Sequence, residues 1–508
     1  MQNHYDYIVV GAGSAGCILA DRLTEDDRND VLLLEAGGPD DKEEIKTPMA
    51  FGGLLKTDVD WNYMSTPQQQ LKGRQAYHPR GKVIGGSSSL NAMIYFRGHP
   101  WDYDHWAELG NEGWSFDEML PYFKKAEDFA GGESEYRNTG GKLHIKKQPN
   151  TTGLSEHLLE AAQEVGYEWN DDLNAGEMEG IGQTQVNIKD GQRHSTADAY
   201  LRPALSRHNL EAETGARVTS LRFDGEQVVG VTLEQDGQEY EVDANEEVIL
   251  SGGVFGSPHL LLLSGVGHSA QLQEHDIDVV THLPGVGKNL QDHLMGVLTY
   301  ESAQSFELPP SEHMTQNIAF ERDDPDNPTP DLVIFLINAL FMNHGFDNPE
   351  GTQGYTIAFH MTYPESEGEL TLRSADPLDE PRIDFKYLSD SRDLDRLVQG
   401  LKRAREIGEA DPLDEYRGEE LWPGEDVRTD EEIADYLRET TQTGYHPIGT
   451  CKMGTDDMAV VDNRLRVKGV HGLRVVDASV MPYISVANTQ GAVIGVAERA
   501  ADMIKEDA

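Results

Sequence analysis

The sequence predicts an α/β protein built on a Rossmann-like dinucleotide-binding domain, with a second part of α+β character. Three observations predict it. An apolar strand runs directly into a glycine turn and then a helix. An acid closes the next strand, about twenty residues beyond that turn. From about Tyr300 to Thr440 the text changes to β-type apolar runs followed by helices with one apolar face.

Tyr7-Ile8-Val9-Val10 is short, apolar and rich in β-branched residues, so it reads as a buried strand. It enters Gly11-Ala12-Gly13-Ser14-Ala15-Gly16, a G-x-G-x-x-G turn. The first glycine permits the turn, the second lets a pyrophosphate approach the backbone, and the third lets the helix from Ser14 to Leu23 pack close. The helix N-terminus then faces the phosphates. Val31 to Leu34 is the second strand, and Glu35 at its end is placed to accept hydrogen bonds from an adenosine ribose. The turn alone does not choose between NAD and FAD.

At 508 residues the chain predicts two or more domains. Its 90 acidic against 42 basic residues give a formal charge of −48. Nucleic acid is a poor partner for such a surface, because phosphate binding needs basic groups. The acids are spread over clusters such as Asp26-Asp27, Asp40-Asp41, Glu43-Glu44 and Asp323-Asp324. An excess this general predicts adaptation to concentrated salt, where screening removes the self-repulsion. No apolar run approaches ~18 residues, so no integral membrane span is expected. Met1 precedes the first strand by only a few residues, which predicts neither signal peptide nor twin-arginine leader and a cytoplasmic location. Cys17 and Cys451 are the only cysteines, too few for a disulfide framework or a zinc-finger-type site, and no metal is predicted. Cys17 reads as a small core residue; Cys451, close to a histidine, carries the lesser alternative of a reactive thiol.

After Glu35-Ala36-Gly37-Gly38 the text turns irregular, and long connections in compact proteins are usually functional. Trp61 and Tyr63 place aromatics there. Pro79 to Met93 is too rich in glycine and serine for a helix or plain strand. Small residues and many amides suit a loop wrapped against a flat or anionic ligand, and Arg80 and Lys82 supply positive charge.

Gly85-Gly86-Ser87-Ser88-Ser89-Leu90-Asn91-Ala92-Met93 with Arg97-Gly98, and the later Gly256-Ser257-Pro258-His259 to Gly267, resemble the two signatures of the glucose–methanol–choline oxidoreductases. The glycine turn, Asn289-Leu290-Gln291-Asp292-His293, His446-Pro447 and Val475-Val476-Asp477-Ala478-Ser479 match in the same order, so the resemblance covers nearly the whole chain. It implies FAD as the dinucleotide. It also implies a Rossmann-like FAD-binding domain with an inserted α+β substrate-binding domain built on an antiparallel sheet. The expected division is 1–150, 196–300 and 441–508 for the FAD domain, and 151–195 with 301–440 for the substrate domain. Cofactor contacts are expected at Gly11, Gly13, Ser14, Ala15, Gly16, Glu35, Ala36, Trp61, Arg80, Val83, Gly86, Ser87, Asn91, Ala92 and Met93. Further contacts are expected at Val218, Asp477, Ala478, Asn488, Thr489 and Gln490.

Between these motifs, Leu154 to Val165 reads as an amphipathic helix. Arg217 to Leu221 and Val228 to Leu233 flank Asp224-Gly225 as a hairpin, and Glu247 to Leu250 reads as a strand. Tyr355 to Met361 and Glu369 to Leu372 are predicted strands. Leu394, Leu397, Val398, Leu401, Ala404 and Ile407 line one helical face, and Thr429 with Glu432 is a capping box.

Among 18 histidines, His446 is set apart by Gly444, Pro447 and Gly449, which hold it on a shaped loop. Oxidising an alcohol needs a hydride acceptor, which a flavin supplies, and a side chain titrating near neutrality for the hydroxyl proton. The resemblance makes His446 the catalytic histidine and Asn488 its polar companion; an amide can hold the alcohol oxygen but cannot act as base. Without the resemblance, Asn488 and Asp477 read as helix or turn caps.

Two departures narrow the expectation. Choline oxidases of this family bind flavin covalently through a histidine at the position of Leu90, so FAD should be non-covalent here. Their glutamate for the quaternary ammonium is matched to Gln316 of Gln316-Asn317-Ile318-Ala319-Phe320, which argues against choline. The expected activity is an FAD-dependent oxidation of a small-molecule alcohol; the electron acceptor is not specified by the motifs. The alternatives are an FAD-containing lyase or photodecarboxylase of the same fold, and, against the two signatures, an NAD-linked dehydrogenase.

Overall fold

Val10 ends the first strand, His4–Val10, with Leu34 beside it on one edge and Leu250 on the other. The computed structural model describes residues 2–323 and 325–508; Met1, on which the reading of the chain start rests, and Asp324 of the Asp323-Asp324 pair lie outside the described residues. The first strand is central in a seven-stranded sheet of order Leu210–Glu213, Val31–Leu34, His4–Val10, Gln238–Leu250, Gln227–Gln235, Arg217–Asp224. The first four are parallel neighbours, and the Arg217–Asp224 and Gln227–Gln235 hairpin joins antiparallel. The predicted strand Glu247 to Leu250 is the end of a 13-residue strand. Its beginning pairs with the hairpin, and its last three residues pair instead with Leu473–Val475. Val10, Leu34 and Leu250 stand in register, so Gly11, Glu35 and Ser251 share one edge. That carboxyl edge is where open α/β sheets bind ligands.

The Ser14–Leu23 helix packs under the C-terminal helix Gln490–Asp507. A buried ion pair joins them: Arg22 Nε and Nη2 donate to the two oxygens of Glu498, each at 2.8 Å. The Tyr200 hydroxyl adds a third hydrogen bond to Glu498, so the buried charge is paired and solvated by the protein.

A second seven-stranded sheet is wholly antiparallel, in the order Arg417–Trp422, Leu294–Ser302, Gly354–Met361, Leu332–Ile337, Thr315–Glu321, Gly180–Gln183, with Gln442–Thr443 beside the start of Leu294–Ser302. It draws three strands from outside the 301–440 stretch. Both of its faces are covered, so Gly354–Met361 is buried along its whole length, Thr356 and His360 included. The alternation survives in where side chains go. Tyr355, Ile357, Phe359 and Met361 join the main core, against the Ser391–Glu409 helix, while Ala358 joins a separate cluster with Val333, Phe335, Ile337, Ile318 and Phe320. That helix buries Leu394, Leu397, Val398, Leu401, Ala404 and Ile407 as predicted, and the Thr429 capping box opens the Asp430–Thr440 helix. Among the described residues no helix is long and apolar enough to cross a membrane.

Candidate active site

The glycine turn sits where the parallel strands end. Gly11 has φ +101°, and a Cβ there would meet the Ser251 carbonyl oxygen at 2.5 Å, so both conformation and space require glycine. Glu35 is buried, and its carboxylate accepts the Ala12 and Gly37 N–H groups, each at 2.8 Å. Burial pushes its pKa up to about 7, against the pull of those two amides. An ionised carboxylate has further lone pairs for a ribose.

The serine-rich loop closes over this turn with backbone alone. Gly86 has φ +52°, and a Cβ on it would lie 2.7 Å from Gly13 Cα. Asn91 Oδ1 accepts from the Met93 N–H at 3.0 Å and from Arg193 Nη1 at 2.8 Å, and Asn91 Nδ2 donates to Gln490, tying the loop to the last helix. Trp61 stacks on Tyr63 at 5.8 Å between the Lys82 ammonium and the Arg217 guanidinium. Leu90 packs with Ile45, Leu54, Val59 and Val83.

The register of the second sheet assembles a histidine cluster. Leu294 pairs with Thr443 and Met295 with His360, which brings His293, His360 and His446 together from three chain segments. His446 Nε2 is 2.9 Å from Asn488 Nδ2, and its Nδ1 is 2.9 Å from His293 Nδ1; His293 Nε2 is 2.7 Å from the Thr362 carbonyl oxygen. These partners settle the protons. An amide Nδ2 only donates, so His446 Nε2 carries a lone pair and Nδ1 the hydrogen. That hydrogen is donated to His293 Nδ1, and His293 Nε2–H is donated to Thr362. Burial, then His360 and Arg80, hold the His446 pKa well below the ordinary histidine value, so the ring is neutral. Asp292 anchors the loop: it accepts the His446 backbone N–H at 2.9 Å, the Tyr387 hydroxyl at 2.6 Å and the Thr443 hydroxyl at 2.5 Å. Burial lifts its pKa to about 6 despite those bonds.

One nitrogen from each of the three imidazoles lies within 4.8 Å of the others. Yet the His293 and His360 rings stack at 4.6 Å and 12°, and lone pairs lie in the ring plane, so two nearly parallel rings do not aim at one ion. Cys451 is fully buried, and burial raises its thiol pKa well above the ordinary value, which makes it a core residue rather than a reactive one.

A single cavity joins the carboxyl edge of the first sheet to the histidine loop. Gly11, Gly13, Ser14, Ala15, Glu35, Ala36, Trp61, Arg80, Gly86, Ser87, Asn91, Ala92, Met93, Val218, Asp477, Ala478, His446, Asn488, Thr489 and Gln490 all line it. Gly16 and Val83 do not. Gly16 abuts the Gly11 carbonyl inside the turn, and Val83 packs beneath the loop. Asp477 has the geometry of a cap: its oxygens accept from Ser479 N, Gly253 N and Ser257 Oγ, at 2.8, 2.9 and 2.6 Å. Asn488 is not a helix cap, since Thr489 precedes the helix and the Asn488 amide goes to His446. Gln316 lies away from the cavity, its side chain bonded to Thr151 and Ser155, so it does not stand where a substrate-recognising acid would. Sequence reasoning gave no role to His293, to Tyr445 or to the wall formed by Met314, Leu340 and Phe341. The available signal was backbone strain, legible only in the structure: Tyr445 and Met93 take φ +69° and +58°, each costing on the order of 1–3 kcal/mol, and both line the cavity.

Residues 5–295 match the N-terminal part and residues 364–497 the C-terminal part of the GMC oxidoreductase family. The chain belongs to that family. It is 41% identical to mitochondrial choline dehydrogenase of Mus musculus, covering 99% of this chain and 90% of that one. It is 39% identical to the oxygen-dependent choline dehydrogenase of Sinorhizobium medicae, over 98% and 95% of the two chains. Among solved structures, pyridoxine 4-oxidase from Mesorbium loti superposes with TM-score 0.93 at 35% identity over 98% of each chain. An FAD-dependent oxidoreductase from Chaetomium thermophilum does so with TM-score 0.90 at 29% identity over 99% of each chain. This member of the GMC family is an FAD-dependent alcohol oxidoreductase, and its relatives give the lyase alternative no support. The cavity fits the cofactor: Ser251 Oγ and Gln490 Nε2 line it as buried polar atoms without a protein partner, and Gly13 leaves open space, since a Cβ there would meet only the Ser251 carbonyl oxygen at 4.0 Å.

Proposed function

We propose that His446 is the base that removes the hydroxyl proton of the alcohol, with Asn488 holding the alcohol oxygen. The observation that carries this is the hydrogen-bond chain from Asn488 through His446 and His293 to the Thr362 carbonyl. It leaves Nε2 as the one lone pair of a neutral, buried ring facing the cavity, beside an amide donor. Bound FAD supplies the hydride acceptor. When Nε2 takes the proton, the ring becomes an imidazolium whose Nδ1–H already has an acceptor in His293, so the charge is met without rearrangement. His293 is thus a positioning residue.

FAD is held without a covalent bond at the Leu90 position, because Leu90 has no nucleophilic atom. The cofactor contacts are the cavity-lining residues of the glycine turn, the serine-rich loop, Val218 and the Asp477 to Gln490 stretch. The chain divides by sheet: the parallel-centred sheet carries FAD, and the antiparallel sheet, including Gly180–Gln183 and Leu294–Ser302, carries the substrate. The relatives named as choline dehydrogenases support this reading. The test is anaerobic flavin reduction in His446→Ala, which should keep its flavin spectrum and lose ~10²–10⁴-fold in rate. Reduction at the parent rate would place the base elsewhere.

A further inference from the structure

Resting on that function, we propose that the substrate is an uncharged alcohol with an apolar, branched-alkyl or aryl body, and that this chain rejects quaternary ammonium alcohols despite its 41% identity to a choline dehydrogenase. The charges lining the cavity decide this. Among the described lining residues only Glu35 and Asp477 are acids. Glu35 belongs to the glycine turn, bonded to Ala12 and Gly37, at the far side from the histidine loop. Asp477 spends its oxygens on Ser479, Gly253 and Ser257. Neither is available to pair with a cation beside His446.

The substrate sheet offers that end of the cavity Met314, Ala339, Leu340 and Phe341, all apolar. Met314, Ala339 and Phe341 pack against a hydrophobic cluster that continues through Met295 and Phe335. Tyr445 adds its ring, since its hydroxyl is held by Gln442 at 2.9 Å and His344 at 3.0 Å. Of the charged side chains lining the cavity, the one tied to the histidine loop is a cation: Arg80 donates from Nη2 to the Tyr445 carbonyl at 2.8 Å, while Asp292, which does not line it, is taken up by the His446 N–H and the Tyr387 and Thr443 hydroxyls. Asp60 and Asp292 act on Arg80 and offset part of its charge.

A quaternary ammonium entering this wall gives up its hydration with no carboxylate to replace it. The rings of Phe341 and Tyr445 offer cation–π attraction, a gain of roughly 3–30-fold in affinity. A missing close carboxylate partner costs more than that, on the order of 100-fold or above in a partly desolvated site. The balance therefore favours a neutral body, whose burial against methionine, leucine and phenylalanine is favourable outright.

The test uses the FAD-loaded enzyme with choline and its neutral isostere neohexyl alcohol, in which a quaternary carbon replaces the ammonium nitrogen. Shape is constant, so the binding ratio reports the charge, while the rate ratio also carries the ammonium's inductive effect on hydride transfer. Neohexyl alcohol should reduce the flavin anaerobically with a second-order rate constant about 100-fold above choline. Met314→Glu should shrink that ratio about tenfold or more; the parent ratio stands by itself if the variant does not fold. Binding read from perturbation of the visible flavin spectrum should show the same preference. Equal constants, or a preference for choline, would overturn the inference while leaving the alcohol oxidation intact. Loss of flavin reduction with every alcohol would instead remove the proposed function, and the spectral binding ratio would still decide for or against the neutral body.

Discussion

Replacing His293 by alanine tests the hydrogen-bond chain without touching the proposed base. His293→Ala removes the acceptor 2.9 Å from His446 Nδ1 and leaves a buried N–H without a partner. An orphaned buried donor costs about 1–3 kcal/mol, and the cost grows toward the upper end once the ring carries a charge. The ring also loses the contact that fixes its tautomer, so part of the population carries its hydrogen on Nε2 and is unable to accept the hydroxyl proton. Together these predict anaerobic flavin reduction slowed by roughly 10–150-fold, at 1.4 kcal/mol per decade, with the visible flavin spectrum unchanged. His293→Asn discriminates position from bulk. An asparagine Oδ1 falls where the imidazole Nδ1 stood and accepts the same hydrogen, so most of the rate should return, although the Thr362 contact is lost. The assay is stopped-flow reduction at saturating alcohol for parent, Ala and Asn forms. Parental rates in His293→Ala, or equal defects in Ala and Asn, would refute the claim that His293 acts through the His446 proton.

Because burial depresses the pKa of His446, and His360 titrates only at about 4, the rate of flavin reduction should be flat from about pH 7 to about pH 9; an inflection above neutrality would show a different ionisation. For stability, His293, His360 and His446 are neutral in the fold and charge on unfolding below their ordinary pKa of about 6.5, so their contribution is complete above that value and lost as pH falls. Glu35 and Asp292, raised to about 7 and about 6, run the opposite way, and denaturation midpoints against pH should show a maximum rather than a plateau. Gly86→Ala should fold yet bind FAD at least ~10-fold more weakly, because the loop must retreat from Gly13; unchanged affinity by equilibrium titration would contradict the backbone contact. Acid precipitation should release FAD intact into the supernatant, and flavin retained on the polypeptide would reveal a covalent bond. With a formal charge of −48, dialysis from ~1 M salt, where the Debye length is about 3 Å, into dilute buffer should lower both melting temperature and activity; indifference to salt would defeat the adaptation argument.

The sequence announces those parts of this site that are specified by neighbours along the chain. The strand, the glycine turn and Glu35 are local: a backbone conformation at Gly11 and a strand end at Leu34 suffice to place them. His446 is likewise marked by the glycines and proline around it. Gln316 shows where this logic fails, since a short motif fixes neither which face of a strand a residue joins nor what waits there; its amide is taken by Thr151 and Ser155. His293 shows the same from the other side. It lies 153 residues from His446, and nothing near it in the chain predicts their hydrogen bond. That bond exists because Leu294 pairs with Thr443 in a sheet whose covered faces hide the alternation that would have revealed its register. Local motifs therefore marked His446, while the histidine bonded to its Nδ1 was brought there by strand pairing that no local motif encodes.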